Sequence, residues 1–222
     1  MTNDPLLYGI LDLGYVPEAD AARVAASLLD GGVDLLQLRA KHHSSATIRR
    51  VAEMLLPLCR AAGVPFILND YPVLAAEIGA AGVHLGQDDG TPGAARLVMG
   101  PDRIIGRSTH SLDQARAALA EGFDYIGFGP LFPTPTKAGR PAIGLHEIAA
   151  MEREVGSQIP AFCIGGITPD TLPQVLSAGG RRVVIVSALL QAPDVEAATR
   201  DLRKMIDDSA SAPFNPGLPS LE

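Results

Sequence analysis

The chain has 222 residues, enough for one large α/β domain or two small ones with a substantial buried core. Its 18 Lys and Arg residues against 25 Asp and Glu residues give a net charge of -7, which argues against a broad nucleic-acid-binding surface. No apolar run approaches the roughly 18 residues of a membrane span, so neither nucleic acid nor a membrane is an expected partner.

Short apolar runs alternate with helical patterns along the whole chain. The first run, from Leu6 to Leu13, is followed by a stretch whose apolar residues recur at helical spacing until Gly31 and Gly32. Seven more predicted strands, each leading into a predicted helix, follow at about 33–39, 66–69, 83–86, 103–108, 125–128, 161–164 and 183–186. The helices are predicted near 44–62, 72–80, 91 onward, 111–121, 145–155, 169–178 and 194–207.

The strand runs are continuously apolar, which is typical of parallel strands covered by helices. A single closed (β/α)8 TIM barrel over residues 1–208 is therefore the predicted fold. An open doubly wound sheet is the alternative, but its edge strands should be more polar than these runs. Residues 209–222 are rich in Pro and Ser without periodicity and are expected to form a flexible tail.

Two features predict a cytoplasmic location. No leading basic segment with an apolar core resembles a signal peptide. Cys59 and Cys163 have no closely spaced partner, so buried free thiols in a reducing compartment are expected.

Polar residues end the second predicted strand. Gln37, Arg39 and Lys41 alternate with Leu38 and Ala40, so they point in one direction, towards the barrel mouth where active sites of this fold lie. Three such groups are suited to holding a polyanion. A solvated strand end is the alternative interpretation.

The loop after the sixth strand is dense in Pro, Gly and Thr. Its hydroxyls at Thr134 and Thr136 lie beside Lys137, between Pro133 and Pro135 with their fixed φ angles. This combination predicts a site for a phosphorylated ligand. The alternative is a surface loop whose prolines only prevent a helix.

Carboxylates follow the third and fourth strands, at Asp70 and Asp89. Because these strands are neighbours, the two carboxylates predict a Mg²⁺ site completed by ligand phosphate and water. Asp88 lies beside the second position. Capping of the next helix is the alternative role, most clearly for Asp70 ahead of Pro72.

The remaining strand ends suggest a second anion site. Gly166 opens onto a helix after strand seven, and Val186 and Ser187 end strand eight, the usual place for a backbone phosphate site in such barrels. Ser108 and His110 end strand five; His110 is a second-rank candidate. His84, inside strand four, is expected to be a core or supporting residue.

Two anion sites predict two phosphorylated substrates, one of them a pyrophosphate that needs the metal. No strong nucleophile pattern is visible, so we expect transfer of an electrophilic group from its pyrophosphate to a second substrate.

Seven segments then match one family in order between about Leu7 and Ala188: QLRAK, ILND, GVHLGQDD, GRSTH, DYIGFGPLFPTPTK, IGGIT and VVIVSA. In these segments the chain resembles the thiamine-phosphate synthases, which join a hydroxymethylpyrimidine pyrophosphate to a thiazole phosphate and release pyrophosphate.

The resemblance implies a role for each matching residue. It implies a dissociative reaction in which pyrophosphate leaves first and the thiazole nitrogen captures a pyrimidine methylene cation. Catalysis would depend mainly on Lys137, Ser108 and Arg39. Gln37 would contact the pyrimidine; Arg39, Lys41 and Asn69 would hold the pyrophosphate; Asp70 and Asp89 would bind Mg²⁺; Ser108 and Lys137 would lie around the pyrimidine and its leaving group; Thr134, Thr136, Gly166, Val186 and Ser187 would hold the thiazole phosphate.

Two other functions stay open at this stage. A related thiazole tautomerase would use a His at the position of His110 and would not need the cations or the carboxylate pair. A non-catalytic phospho-ligand sensor would need a partner surface or output domain. The oligomeric state is open, a homo-oligomer included. The segment 178–182 departs from the Gly-Ala-Asp-Gly that often precedes the last strand of the family.

Overall fold

Eight parallel strands close into a barrel in the computed structural model, which describes residues 5–134 and 141–211, except for the side chains of 210 and 211. Each strand pairs with the next in the chain, and β8 pairs with β1. The closure confirms the predicted TIM barrel and excludes the open sheet. The strands are β1 Leu7–Asp12, β2 Leu35–Arg39, β3 Phe66–Asn69, β4 Gly82–Leu85, β5 Ile104–Thr109, β6 Tyr125–Phe128, β7 Ala161–Ile164 and β8 Arg182–Ile185.

Helices follow the strands as predicted, with three differences. The short helix Ser187–Leu190 was not predicted, because four residues are too few to show a helical period. The helix expected from about 145 is only one turn, Ile148–Met151, and continues as a π-helical segment, Glu152–Gly156. The last helix extends to Ser211. The helices are α1 Ala21–Asp30, α2 Ser45–Ala62, α3 Pro72–Ile78, α4 Pro92–Met99, α5 Leu112–Glu121, α6 Ile148–Met151, α7 Leu172–Ser177, α8 Ser187–Leu190 and α9 Val195–Ser211.

The strands separate two apolar layers. Leu36 and Leu38 face outward and belong to the large core between barrel and helices, whereas Leu35 belongs to a smaller cluster inside the barrel. Alternation along β2 produces this division. The inner cluster consists of Tyr8, Ile10, Leu35, Ile67, Tyr125, Phe162 and Val184.

Three aromatic rings form the floor of the barrel interior. Tyr8, Tyr125 and Phe162 pack edge to face, with centroid distances of 5.3 to 5.9 Å. Gly106 makes room for them, because a Cβ at that position would lie 2.0 Å from Cζ of Tyr125. An open pocket therefore lies above this floor, at the carboxyl ends of the strands.

Both cysteines are buried and free, as predicted. Burial raises the pKa of the Cys59 thiol to about 12. Among the described residues, no helix combines the length and apolar character needed to cross a bilayer.

The departure from the family pattern lies at the opposite end of the barrel from the pocket. The backbone N–H of Arg181 donates to Oε1 of Glu152 at 3.1 Å, and the Arg182 guanidinium lies 3.9 Å from Oε2 of the same residue. Arg182 begins β8, so these contacts lie at the entry to the strand. They do not reach the strand ends that carry the predicted site.

Candidate active site

A single pocket at the mouth of the barrel gathers most of the predicted site residues. Its volume is about 850 Å³, including the open entrance. Lys41, Asp70 and Asp89 lie outside its lining, while Thr136 and Lys137 fall outside the described residues. The predicted residues that line it are Gln37, Arg39, Asn69, Ser108, Thr134, Gly166, Val186 and Ser187.

Arg39 is held in the pocket by a carboxylate that the sequence did not reveal. Its guanidinium forms an ion pair with Asp12, which is 2% exposed. The second oxygen of Asp12 accepts the backbone N–H of Gly14 at 2.8 Å. Because Asp12 is fixed from both sides, it orients the guanidinium. Only its position at the end of the apolar run of β1 signals this role.

Asp70 and Asp89 meet near the mouth, as the neighbouring strand ends predicted. The Asp89 carboxylate lies near that of Asp70, and Nζ of Lys41 is 3.5 Å from Oδ2 of Asp70. Burial raises the pKa of the Asp70 carboxyl, Asp89 raises it further, and Lys41 opposes both. A cation beside these carboxylates would relieve that repulsion.

Neither aspartate caps the following helix. Asp70 directs its side chain to Lys41 and Asp89, and Asp89 accepts the N–H of Gly86 at 2.7 Å. Thr91 caps α4 instead, by accepting the N–H of Ala94. The described residues contain no group of three or more His, Cys, Asp or Glu side chains suited to a metal. Two carboxylates nevertheless fit Mg²⁺, which commonly takes few protein ligands and completes its shell with water and phosphate.

The turn after β7 brings backbone close to one side of the pocket. Gly165 and Gly166 have φ values of 101° and 66°, in the left-handed region. The chain after β6 pairs with this turn, since Leu131 N–H donates to the Ile164 carbonyl at 2.9 Å and Phe132 N–H to that of Gly165 at 3.0 Å. This pairing places Thr134 beside Gly166 in the pocket wall.

Replacing Gly166 by Ala should damage this turn. A Cβ there would lie 2.6 Å from Cβ of Phe132 and 2.8 Å from the Pro133 carbonyl oxygen. We expect a KM for the phosphorylated substrate at least about tenfold higher, from displaced pocket backbone. Gly63→Ala is the matched control, because Gly63 has a φ of 68° but nothing within 4 Å of its Cβ. The control should cost only about 1 kcal/mol of stability and leave KM unchanged. Equal KM values in both variants would contradict the placement, as measured by steady-state kinetics and chemical denaturation.

A chain of hydrogen bonds crosses the pocket floor from β2 to β5. Nε2 of Gln37 donates to the Tyr8 oxygen at 2.5 Å, and the oxygens of Tyr8 and Tyr125 are 2.9 Å apart. Nδ1 of His84 lies 3.0 Å from the Tyr125 oxygen, and its Nε2 lies 3.0 Å from Oγ of Ser108. The sequence placed Gln37 and Ser108 in the site and His84 behind it. It missed both tyrosines, which are embedded in apolar runs.

His110 also lines the pocket, with its ring against the backbone of the next strand. Nδ1 is hydrogen-bonded to the Gly129 carbonyl oxygen, and the His110 backbone N–H donates to Oε1 of Gln114 at 2.8 Å. A carbonyl only accepts, so Nδ1 carries the hydrogen in that bond. The bond fixes the ring in the wall of the pocket.

Comparison with known proteins identifies the family. The family model described as thiamine monophosphate synthase matches residues 7–189. A thiamine-phosphate synthase of Thermus thermophilus is 48% identical over 193 residues, covering 87% of this chain and 92% of the relative. One of Mycolicibacterium vanbaalenii is 45% identical, covering 84% and 88%.

A solved structure agrees with these sequence relatives. The thiamine phosphate pyrophosphorylase of Pyrococcus furiosus superimposes with a TM-score of 0.83 at 32% identity, covering 93% of this chain and 98% of that one. A geranylgeranylglyceryl phosphate synthase of Thermoplasma acidophilum has a TM-score of 0.68 at 16% identity and shows the shared fold alone. The chain therefore belongs to the thiamine-phosphate synthase family, which confirms the transferase activity that its motifs predict.

Proposed function

We propose that this chain transfers the 4-amino-2-methylpyrimidin-5-ylmethyl group from its pyrophosphate to 4-methyl-5-(2-phosphoethyl)thiazole, forming thiamine phosphate and pyrophosphate. One observation supports this most strongly. The same pocket combines a fixed guanidinium, Arg39, with a glycine turn at Gly166, and Asp70, which lies near Asp89, directly follows Asn69 of its lining. This arrangement suits two phosphorylated substrates bound side by side.

The pyrophosphate end of the first substrate would lie over β2 and β3. Arg39 and Asn69 line the pocket there, and Lys41 extends from the end of β2 to Asp70. Asp70 and Asp89 would hold Mg²⁺. The bound ion would supply charge neutralisation to the departing pyrophosphate.

The second substrate would place its phosphate at the turns after β7 and β8. Gly166, Val186 and Ser187 line the pocket there, with Thr134 facing them from the loop after β6. Thr136 would complete this contact. Because the turn after β7 is held by backbone pairing with residues 131–132, the phosphate position would be set by main chain more than by flexible side chains.

The residues then need only to position the substrates. The C–O bond breaks with its electron pair going to pyrophosphate, the amino group of the ring stabilises the methylene cation, and the thiazole nitrogen lone pair forms the new C–N bond. Gln37 and Ser108 would hold the pyrimidine ring above the aromatic floor. Arg39 and Lys137 would stabilise the charge that develops on the leaving group.

Pyrophosphate release tests this proposal directly. The purified protein would be given the pyrimidine pyrophosphate with and without thiazole phosphate, in Mg²⁺ and in chelator. We expect release that needs the metal and yields thiamine phosphate in equal amount. No release together with thiazole tautomerisation would contradict the proposal and move His110 to the centre of the mechanism.

Lys137 is the residue that separates the candidate functions. Lys137→Ala should lower thiamine phosphate formation by about 10²-fold or more, the effect of removing one preorganised charge at a leaving group. Lys204→Ala, on the exposed side of α9, is the matched control and should leave the rate unchanged. Equal rates for the two variants in the coupled assay would show that the central loop is wrongly assigned.

A further inference from the structure

The hydrogen-bond chain on the pocket floor has a direction that can be worked out from its members. Gln37 presents its amide nitrogen, which can only donate, to the Tyr8 oxygen. A phenol has one hydrogen to give. The Tyr8 hydrogen therefore goes to its other hydrogen-bonding neighbour along the chain, the oxygen of Tyr125.

Burial requires an acceptor for each phenol hydrogen along this chain. Tyr8 is 1% exposed and Tyr125 is fully buried, so a phenol hydrogen without an acceptor would be costly at either position. Burial also raises the pKa of both phenols, which keeps both hydrogens in place. Tyr125, having accepted from Tyr8, donates onward to Nδ1 of His84.

His84 continues the same donor-to-acceptor direction to Ser108. A neutral imidazole that accepts at Nδ1 carries its hydrogen at Nε2, and that nitrogen lies 3.0 Å from Oγ of Ser108. Ser108 thus accepts from His84. At the other end, the amide oxygen of Gln37 is the acceptor that the bond to Tyr8 does not use.

We propose that the Tyr8–Tyr125–His84 chain fixes the donor and acceptor pattern that the Gln37 amide presents to the heterocycle, and thereby selects a 4-aminopyrimidine over its 4-oxo counterpart. The inference rests on the proposed function. The amino form offers a donor at the exocyclic position beside an acceptor ring nitrogen. The 4-oxo form, with hydrogen on that ring nitrogen, offers the reverse. Tyr8 and Tyr125 are then positioning residues, since they act on the ring through Gln37.

The tautomer of His84 tests the direction of the chain in the unaltered protein. Nitrogen-15 NMR of histidine-labelled protein distinguishes the two neutral tautomers, and His84→Gln identifies the signal. We expect hydrogen on Nε2 and none on Nδ1. Hydrogen on Nδ1 would mean that the chain runs the other way, and would overturn the proposal.

Binding of two matched ligands tests the selection itself. The ligands are 4-amino and 4-oxo pyrimidinylmethyl pyrophosphate analogues in which CH2 replaces the ester oxygen, so that neither can release pyrophosphate. Calorimetry on the wild-type protein should show about 100-fold tighter binding of the amino analogue. Tyr125→Phe should reduce that ratio at least tenfold, mainly by losing affinity for the amino analogue, and Tyr8→Phe should reduce it as well.

Tyr15→Phe is the matched control, because it removes a phenol oxygen from a partly buried tyrosine that does not line the pocket. It should keep the wild-type ratio. Equal weakening of both analogues in Tyr8→Phe and Tyr125→Phe, with the ratio unchanged, would show that the tyrosines only support the fold and would overturn the proposal. Failure of the proposed function is distinct, because the wild-type protein would then release no pyrophosphate and bind neither analogue.

Discussion

Asp70→Asn is expected to lower the rate of metal-dependent pyrophosphate release by about 10²–10³-fold, the usual effect of losing one electrostatic contact in a transition state. The substitution keeps the shape of the side chain but removes a charge from the pair that it forms with Asp89. A Mg²⁺ titration at saturating substrate measures the effect. The apparent affinity for the metal should fall together with the rate.

Asp88→Asn is the matched control for this prediction. Asp88 is exposed and adjacent to Asp89, so Asp88→Asn removes one negative charge from the same part of the chain. Its rate and metal dependence should stay close to those of the unaltered protein. If both variants were equally impaired, the loss of rate would reflect the local negative charge, and Asp70 would not be a Mg²⁺ ligand.

The stability of Asp70→Asn provides an independent check. In the metal-free protein, burial and Asp89 raise the pKa of the Asp70 carboxyl, so its ionised form is disfavoured in the folded state. The neutral amide should therefore leave the free energy of unfolding in chelator unchanged or higher. A large loss of stability would indicate a structural role for this carboxylate.

Arg39→Ala is expected to reduce kcat/KM for the pyrimidine pyrophosphate by about 10³-fold and to cost about 3 kcal/mol of stability. The first effect follows from loss of the guanidinium in the pocket. The second follows because Asp12, with a side chain 3% exposed, would lose its charge partner in the barrel interior. Steady-state kinetics and denaturant unfolding measure the two effects separately.

Two further variants separate these effects. Adding Asp12→Ala to Arg39→Ala should recover part of the stability, because no buried carboxylate is left unpaired, but no activity. Arg50→Ala breaks an exposed ion pair with Glu18 and should cost less than about 1 kcal/mol without changing the kinetics. Unchanged stability in Arg39→Ala would contradict the importance of the pair with Asp12.

The sequence by itself determined the barrel and much of its mouth. Continuous apolar runs with intervening helices specify parallel strands, and the two-residue period of a strand then decides which side chains face inward. Gln37, Arg39 and Ser108 could be placed in the pocket in this way, because each follows an apolar run whose direction is known. The motif matches supplied the family and its chemistry.

Only the tertiary structure decided which inward residues contact one another. Tyr8 and Tyr125 are 117 residues apart in the chain, and their hydrogen bond exists because the closed barrel brings β1 and β6 to a common floor. Asp12 likewise acquires its role only when β1 and β2 pair in the register that places it opposite Arg39. Local periodicity shows the direction of a side chain, but the partner across the barrel depends on closure and register, which no single segment encodes.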